Sequence, residues 1–179
     1  TPTAQVNVGG IVASTQNIST DDFMAGKYKF SGNSTKSVEN KGSITAGTGG
    51  TVALIAAKII NSGNIEAPQG TVGLVAGNTV IVDLGGPIKI QVNEGALNTL
   101  IEQSGGIKAD GGNIYLTAKA AGELASSVIN HTGVTQARTL ASNQKGEIIL
   151  LADMAVGTTK VAGTLDASAP TQGDGGFIE

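Results

Sequence analysis

The chain has 179 residues, of which 27 are glycine; aromatics make up only 3%, and Cys and Trp are absent. A net charge of −3 and a single arginine (Arg138) exclude the clustered basic surface that nucleic acid or a heavily sulfated glycan requires. The lack of cysteine excludes a disulfide framework and any Cys-based metal site, and the longest apolar run, residues 51–60 interrupted by Lys58, is too short to span a bilayer.

Along the chain, residues 11–30 carry Asp21-Asp22 and then the alternating Lys27-Tyr28-Lys29-Phe30, which predicts a loop leading into a strand. From Asn40 onward a two-part motif recurs. Its first half is Asn40-Lys41-Gly42-Ser43-Ile44-Thr45-Ala46, then Asn61-Ser62-Gly63-Asn64-Ile65-Glu66-Ala67. The later copies are centred on Gly105-Gly106-Ile107-Lys108-Ala109, Gly133-Val134-Thr135-Gln136-Ala137 and Gly163-Thr164-Leu165-Asp166-Ala167. The second half keeps step as Gly50-Thr51-Val52-Ala53-Leu54-Ile55-Ala56, with further copies beginning at Gly70, Gly112 and Gly146 and a shorter one at Gly176-Phe177-Ile178.

A repeat of about 20 residues with alternating apolar positions predicts a β-solenoid, in which each coil buries its apolar face against the next. Within a half-motif, Ile44 and Ala46 face one way and Thr45 the other; Val52, Leu54 and Ala56 oppose Ala53 and Ile55. The glycine pairs Gly49-Gly50 and Gly111-Gly112 are read as corners where positive φ is cheap. Asn40 and Asn61 share a corner one coil apart and are expected to hydrogen-bond as a stacked pair. The motif glycines Gly42, Gly63, Gly105, Gly133 and Gly163 lie 21, 42, 28 and 30 residues apart. The doubled interval predicts a degenerate coil between Gly63 and Gly105.

Residues 78–103 break the pattern and are expected to form an extra-helical excursion. In it, Thr79-Val80-Ile81-Val82 and Pro87-Ile88-Lys89-Ile90-Gln91-Val92 flank Gly85-Gly86 as a hairpin. The spacing of Ala96, Leu97, Leu100 and Ile101 predicts a short helix. A second short helix is expected over residues 119–126 with Leu124 facing inward. The fold class is therefore all-β, a parallel β-helix forming a single domain over residues 1–179.

No catalytic, cofactor-binding or metal-binding residue emerges. His131 is the only histidine and sits at the corner held by Asn40 and Asn61 in other copies, so a stacked turn residue outweighs a ligand or general base. Asp21-Asp22 reads as a loop cap ahead of half a calcium site or a glycosidase pair. The outward column Thr45, Glu66, Lys108, Gln136 and Asp166 is mixed in sign and reads as a solvated face, with Glu66 and Lys108 pairing if no coil separates them. The glycine-rich corners lack the Lys-Ser/Thr of a phosphate loop, and the Gly-Gly-x-Gly-x-Asp calcium repeat is absent.

Further stretches carry a family resemblance. They are Val6-Asn7-Val8-Gly9-Gly10-Ile11-Val12-Ala13-Ser14-Thr15, then Asn17-Ile18 with Asp21-Asp22-Phe23, the ordered Gly-x-Ile and Gly-x-Val-x-Leu series, and Gly173-Asp174-Gly175-Gly176-Phe177-Ile178-Glu179. Together they resemble the two-partner secretion exoproteins, the filamentous-haemagglutinin-like adhesins of Gram-negative bacteria. The resemblance implies a right-handed parallel β-helix that reaches the periplasm and crosses the outer membrane through a dedicated β-barrel transporter. The family's Asn-Pro-Asn-Gly type motif would stand just upstream of Asn7-Val8-Gly9-Gly10, and this chain begins after it, so the expectation is a fragment of a longer exoprotein with an exposed first coil. The implied role is secretion, β-helix folding and support of surface adhesion or biofilm formation, with host or bacterial glycans as further partners. The alternative is a carbohydrate-active β-helix enzyme, a polysaccharide lyase or hydrolase, which needs acids clustered on one face.

Overall fold

The computed structural model describes residues 1–83, 90–141, 144–171 and 173–179. The chain winds as a three-sided parallel β-helix. The first coil has β1 (Gln5–Val8) and β2 (Ile11–Ser14), then leaves the stack as β3 (Asn17–Ile18), α1 (Thr20–Met24) and β4 (Tyr28–Ser31), and closes with β5 (Ser37–Asn40). The second coil is β6 (Ser43–Ala46), β7 (Thr51–Ala56) and β8 (Lys58–Asn61). The third is β9 (Asn64–Glu66) and β10 (Thr71–Ala76), an excursion of β11 (Thr79–Val82) and β12 (Ile90–Glu94), and β13 (Asn98–Gln103). Two more coils follow as β14 (Gly106–Lys108), β15 (Asn113–Ala118), β16 (Ser126–His131) and then β17 (Val134–Gln136), β18 (Glu147–Leu151), β19 (Gly157–Val161), before β20 (Thr164–Asp166) and β21 (Phe177–Ile178).

Each turn visits the same three sheets in the same order. The first sheet runs β1-β6-β9-β14-β17-β20, the second β2-β7-β10-β15-β18-β21 and the third β5-β8-β13-β16-β19, all parallel. The register is strict. Ile44, Ile65, Ile107, Thr135 and Leu165 stack in one column. Leu54, Leu74, Leu116 and Leu150 stack in another. These columns form the inner core, with Ile65, Leu74, Ile101, Ile107, Leu116 and Ile129 essentially inaccessible to solvent. Burial of each such side chain contributes about 1.5–3 kcal/mol, which offsets the cost of ordering a short coil.

Two columns of glycine exist for close approach rather than for unusual φ. A Cβ on Gly63, Gly105, Gly133 or Gly163 would collide with the carbonyl oxygen of the motif glycine one coil earlier. The column Gly50, Gly70 and Gly112 is packed the same way, each glycine against the carbonyl of the one before. At this corner positive φ falls on the residue before the second column: Gly49 at 76°, Gly111 at 73° and, in the coil between them, Gln69 at 54°. The corner reading therefore holds for Gly49 and Gly111, whereas Gly50 and Gly112 are fixed by stacking.

Several expectations are corrected. No degenerate coil lies between Gly63 and Gly105, because β9 pairs directly with β14 and the extra residues leave the stack as β11 and β12. The helix expected at Ala96, Leu97, Leu100 and Ile101 is instead strand β13: Thr99, Ile101 and Gln103 point inward, Leu97 is 72% exposed, and the helical spacing is a coincidence of a period-two pattern. The helix expected over residues 119–126 is a turn through Gly122 (φ 127°) leading into β16, and Leu124 is fully exposed. The one helix among the described residues is α1, in the segment read as a loop. It is capped by the Ser19 side chain, which accepts from the Asp22 N–H at 3.0 Å, with both acids in the first turn where the helix dipole favours them.

The excursions from the first and third coils leave the same corner and meet. They form an antiparallel sheet of order β12-β11-β4-β3 that lies on the outer face of the second sheet. Ala53 and Ile55, on the side opposite Val52, Leu54 and Ala56 as expected, are buried with Val75 against Phe30, Val80 and Val82 in a second core. A Cβ on Gly73 would strike the Ile90 side chain, so glycine at that outward position admits β12. Gln16 pins the layers, donating from Nε2 to the Gly77 carbonyl at 3.3 Å and accepting from the Ser34 N–H at 3.3 Å. Of the expected hairpin, Pro87, Ile88, Lys89 and the Gly85-Gly86 turn lie outside the described residues.

Candidate functional site

Asp21 is exposed and Asp22 half-buried on α1, at the rim of the outer sheet. Beside them Phe23 packs edge-on against Tyr28, with ring centroids 6.3 Å apart. Among the described residues no three His, Asp or Glu side chains lie close enough to hold a metal ion.

His131 is fully buried inside the stack, at the end of a polar ladder. Asn40 Nδ2 donates to Asn61 Oδ1 at 2.8 Å, and Asn61 Nδ2 donates to Gln103 Oε1 at 2.7 Å. Gln103 is in register with His131, whose Nε2 lies 2.8 Å from Thr135 Oγ1. Burial disfavours the imidazolium and lowers the His131 pKa. The expected corner position of His131 and the stacked asparagine pair are both found, facing the interior. A ring with no path to solvent cannot serve as a general base toward a polymeric substrate.

The outward column assembles as expected, with Thr45, Glu66, Lys108, Gln136 and Asp166 in register and Lys108 Nζ 3.8 Å from Glu66 Oε1. Two residues further along the same coils stand Asp110 and Arg138, which the sequence pattern did not single out. Advancing the column by two residues is the signal that would have found them. Asp110 is nearly buried, and its carboxylate accepts from Gln136 Nε2 at 3.0 and 2.9 Å, from the Arg138 N–H at 2.9 Å and from the Arg138 guanidinium at 3.3 and 2.9 Å. Burial is the largest single influence on this carboxyl and pushes its pKa up. The bonds from Arg138 and Gln136 together outweigh it, and the net direction is down. Asp110 in turn raises the Arg138 pKa. With its lone pairs so occupied, Asp110 locks two coils together and has no capacity left for proton transfer.

A concavity lies on the outer surface. It is a groove of about 680 Å³ between β12 and the outward side chains of β15 and β18, floored by Tyr115, Thr117, Ile149 and Leu151. Leu151 is half-exposed and Met154 fully exposed along it. The Tyr115 hydroxyl lies 3.5 Å from Glu147 Oε2, and burial together with that carboxylate raises the tyrosine pKa.

The described residues therefore present a strictly registered parallel stack, an outer antiparallel sheet and an apolar groove, and among them no convergent set of reactive groups. Comparison with protein families accounts for this combination: the TPS secretion domain family matches residues 1–165. The chain belongs to the two-partner secretion domain family. No curated protein gives a significant match to it. The two-partner secretion domain is an export module, not an enzyme family, and its dedicated partner is an outer-membrane transporter. Proteins bearing it are secreted across the outer membrane to the cell surface or the medium. No helix among the described residues is long and apolar enough to cross a membrane.

Proposed function

We propose that this secretion domain directs a longer adhesin-type exoprotein through its transporter and then templates the β-helix outside the cell, and that the assembled surface supports adhesion. The observation that carries the proposal is the one-to-one register of all three sheets. Each coil offers the next a complete set of parallel edges, so coils can add in sequence as the chain emerges. The edge strand β19 is exposed along its whole length and presents such a template. Residues 1–179 act as one domain in this reading, with no catalytic, cofactor or metal residue. Surface glycans are the proposed adhesive partners. The carbohydrate-enzyme alternative loses support because the most buried carboxylate on the outward face, Asp110, is saturated by Arg138 and Gln136.

Calorimetry of the folded domain against the periplasmic domains of its transporter tests the proposal. Saturable binding is the expected result. The absence of binding by a folded domain would move the search to other partners.

A further inference from the structure

The interior of the stack changes character between its fourth and fifth coils. From the third coil to the fourth, Ile65 meets Ile107 and Ile101 meets Ile129. One step further, Ile107 meets Thr135 and Ile129 meets Thr159, so isoleucine stacks on threonine in two of the three sheets. Each such pair lacks part of the apolar contact that the earlier coils make. The outer sheet gives no support here, since its buried contacts are with Ala53, Ile55 and Val75 of β7 and β10.

His131 lies in this seam. Its ring is fully buried, Nε2 is 2.8 Å from Oγ1 of Thr135 in the fifth coil, and Nδ1 has no hydrogen-bond partner. Gln103, in register with it in the third coil, directs its Nε2 to the Gly105 carbonyl at 3.0 Å. The strands packed around the ring bring no charge to it. β13 presents Gln103, β19 Val161 and β17 Thr135; Glu102 of β13 and Lys160 of β19 stand in the outward column of Asn130. Tyr115 of β15 faces the outer groove. An imidazolium here would be a buried charge without a counter-ion and with an unsatisfied Nδ1–H. Burial accordingly holds the His131 pKa down, and its own backbone opposes this only in part. On the outside the seam is clamped by Asp110 of the fourth coil and Arg138 of the fifth, 2.9 Å apart. The Asp110 carboxyl is itself shifted down, so mild acid acts on the ring and spares the clamp.

We propose that this seam is an acid-sensitive joint: protonation of His131 opens the fifth coil away from the fourth and uncovers the parallel edges of β14, β15 and β16, while the coils beneath the outer sheet stay closed. In the open form the ring takes up its proton near the ordinary value of about 6.5, whereas the closed form resists it. The closed joint is therefore fully favoured above that value and loses ground as the pH falls. Between pH 7.5 and 5.0 the ratio of open to closed can rise by about thirtyfold at most, the ceiling for one histidine whose open-form pKa is about 6.5. Proteins bearing this domain are released to the cell surface or the medium, so the folded joint meets the pH that prevails there.

Native-state hydrogen exchange on the full 179-residue chain tests the joint, at pH 7.5 and 5.0 over low urea concentrations and corrected for intrinsic exchange rates. At pH 5.0 the amides of β17 and β18 should exchange through an opening of small urea dependence, while those of β7 and β10 wait for global unfolding. That opening should be about five- to thirtyfold more populated than at pH 7.5, and its response to pH should vanish in His131→Gln. Because His131 is the only histidine, its ring gives a single NMR signal that tests the trigger without a variant. The ring should stay neutral at pH 5.0 wherever the fifth coil is closed. Exchange of β17 and β18 only together with β7 and β10 overturns the joint. A local opening that ignores pH, or that responds equally in His131→Gln, overturns the proposal, as does a ring that titrates near its ordinary value with the fifth coil closed. Each of these results leaves the secretion reading untouched.

Discussion

Leu74→Ala offers the most quantitative test of the stacked core. Leu74 is wholly inaccessible and lies in register between Leu54 and Leu116. Three side-chain carbons leave, worth about 2.4 kcal/mol at about 0.8 kcal/mol each. The cavity adds to this because its walls cannot close. Its floor and ceiling are strands whose spacing is fixed by hydrogen bonds, and Gly50, Gly70 and Gly112 already stack without clearance. The loss should therefore fall in the upper half of the usual range, about 4–5 kcal/mol. Against a total stability of about 5–15 kcal/mol, that leaves the domain marginal or unfolded. Urea unfolding followed by circular dichroism measures it, with Leu124→Ala on the exposed turn as a control expected within about 0.5 kcal/mol of the parent. A loss below about 1.5 kcal/mol at Leu74 would refute the tight, non-collapsing stack.

Four further outcomes are expected. Asn61→Ala strands Gln103 Oε1 in the interior and leaves Asn40 Nδ2 only its long bond to the Asn64 carbonyl; the unsatisfied acceptor should cost about 1–3 kcal/mol, read as a lowered Tm. His131 carries a depressed pKa in the folded state, so the unfolded chain binds more protons once pH drops below about 6.5. Stability is thus full above that value and falls as the pH is lowered towards the folded pKa; urea titrations at pH 7.5 and 5.0 should show the loss, and the difference should shrink in His131→Gln. Arg138→Ala deprives the nearly buried Asp110 carboxylate of its guanidinium and should lower the Tm, with coupling to Asp110→Asn in a double-mutant cycle. Asp21→Ala on α1 should shift the unfolding midpoint by no more than the equivalent of about 0.5 kcal/mol, since the side chain is exposed and Ser19 still caps the helix.

The legible parts of this fold are those where stacking forces like onto like. The first and second sheets repeat Gly-x-Ile and Gly-x-Val-x-Leu because each position meets its own copy one coil away, so the glycines and the Ile44 and Leu54 columns stand out at sight. The outward column and the Glu66–Lys108 pair follow from the same register. The third sheet was opaque because its inward positions are largely polar: Asn40, Asn61, Thr99, Gln103 and Ser127 bond to one another or to backbone, and His131 meets the Thr135 hydroxyl. Without apolar alternation, β13 looked helical. The outer sheet was hidden for a different reason: what covers Ala53 and Ile55 comes from Phe30 and Val80, which are distant in sequence. The groove is invisible in sequence because it is defined by what fails to cover Ile149 and Leu151.

The central claim is that this chain is an export module recognised by an outer-membrane transporter. The most direct measurement is the amount of the full exoprotein in the medium of cells with and without that transporter, comparing the parent with a variant whose solenoid cannot fold, such as Leu54→Asp. The account predicts transporter-dependent release of the parent as a folded, protease-resistant β-helix, and no such protected product from Leu54→Asp. Equal release with and without the transporter would contradict it.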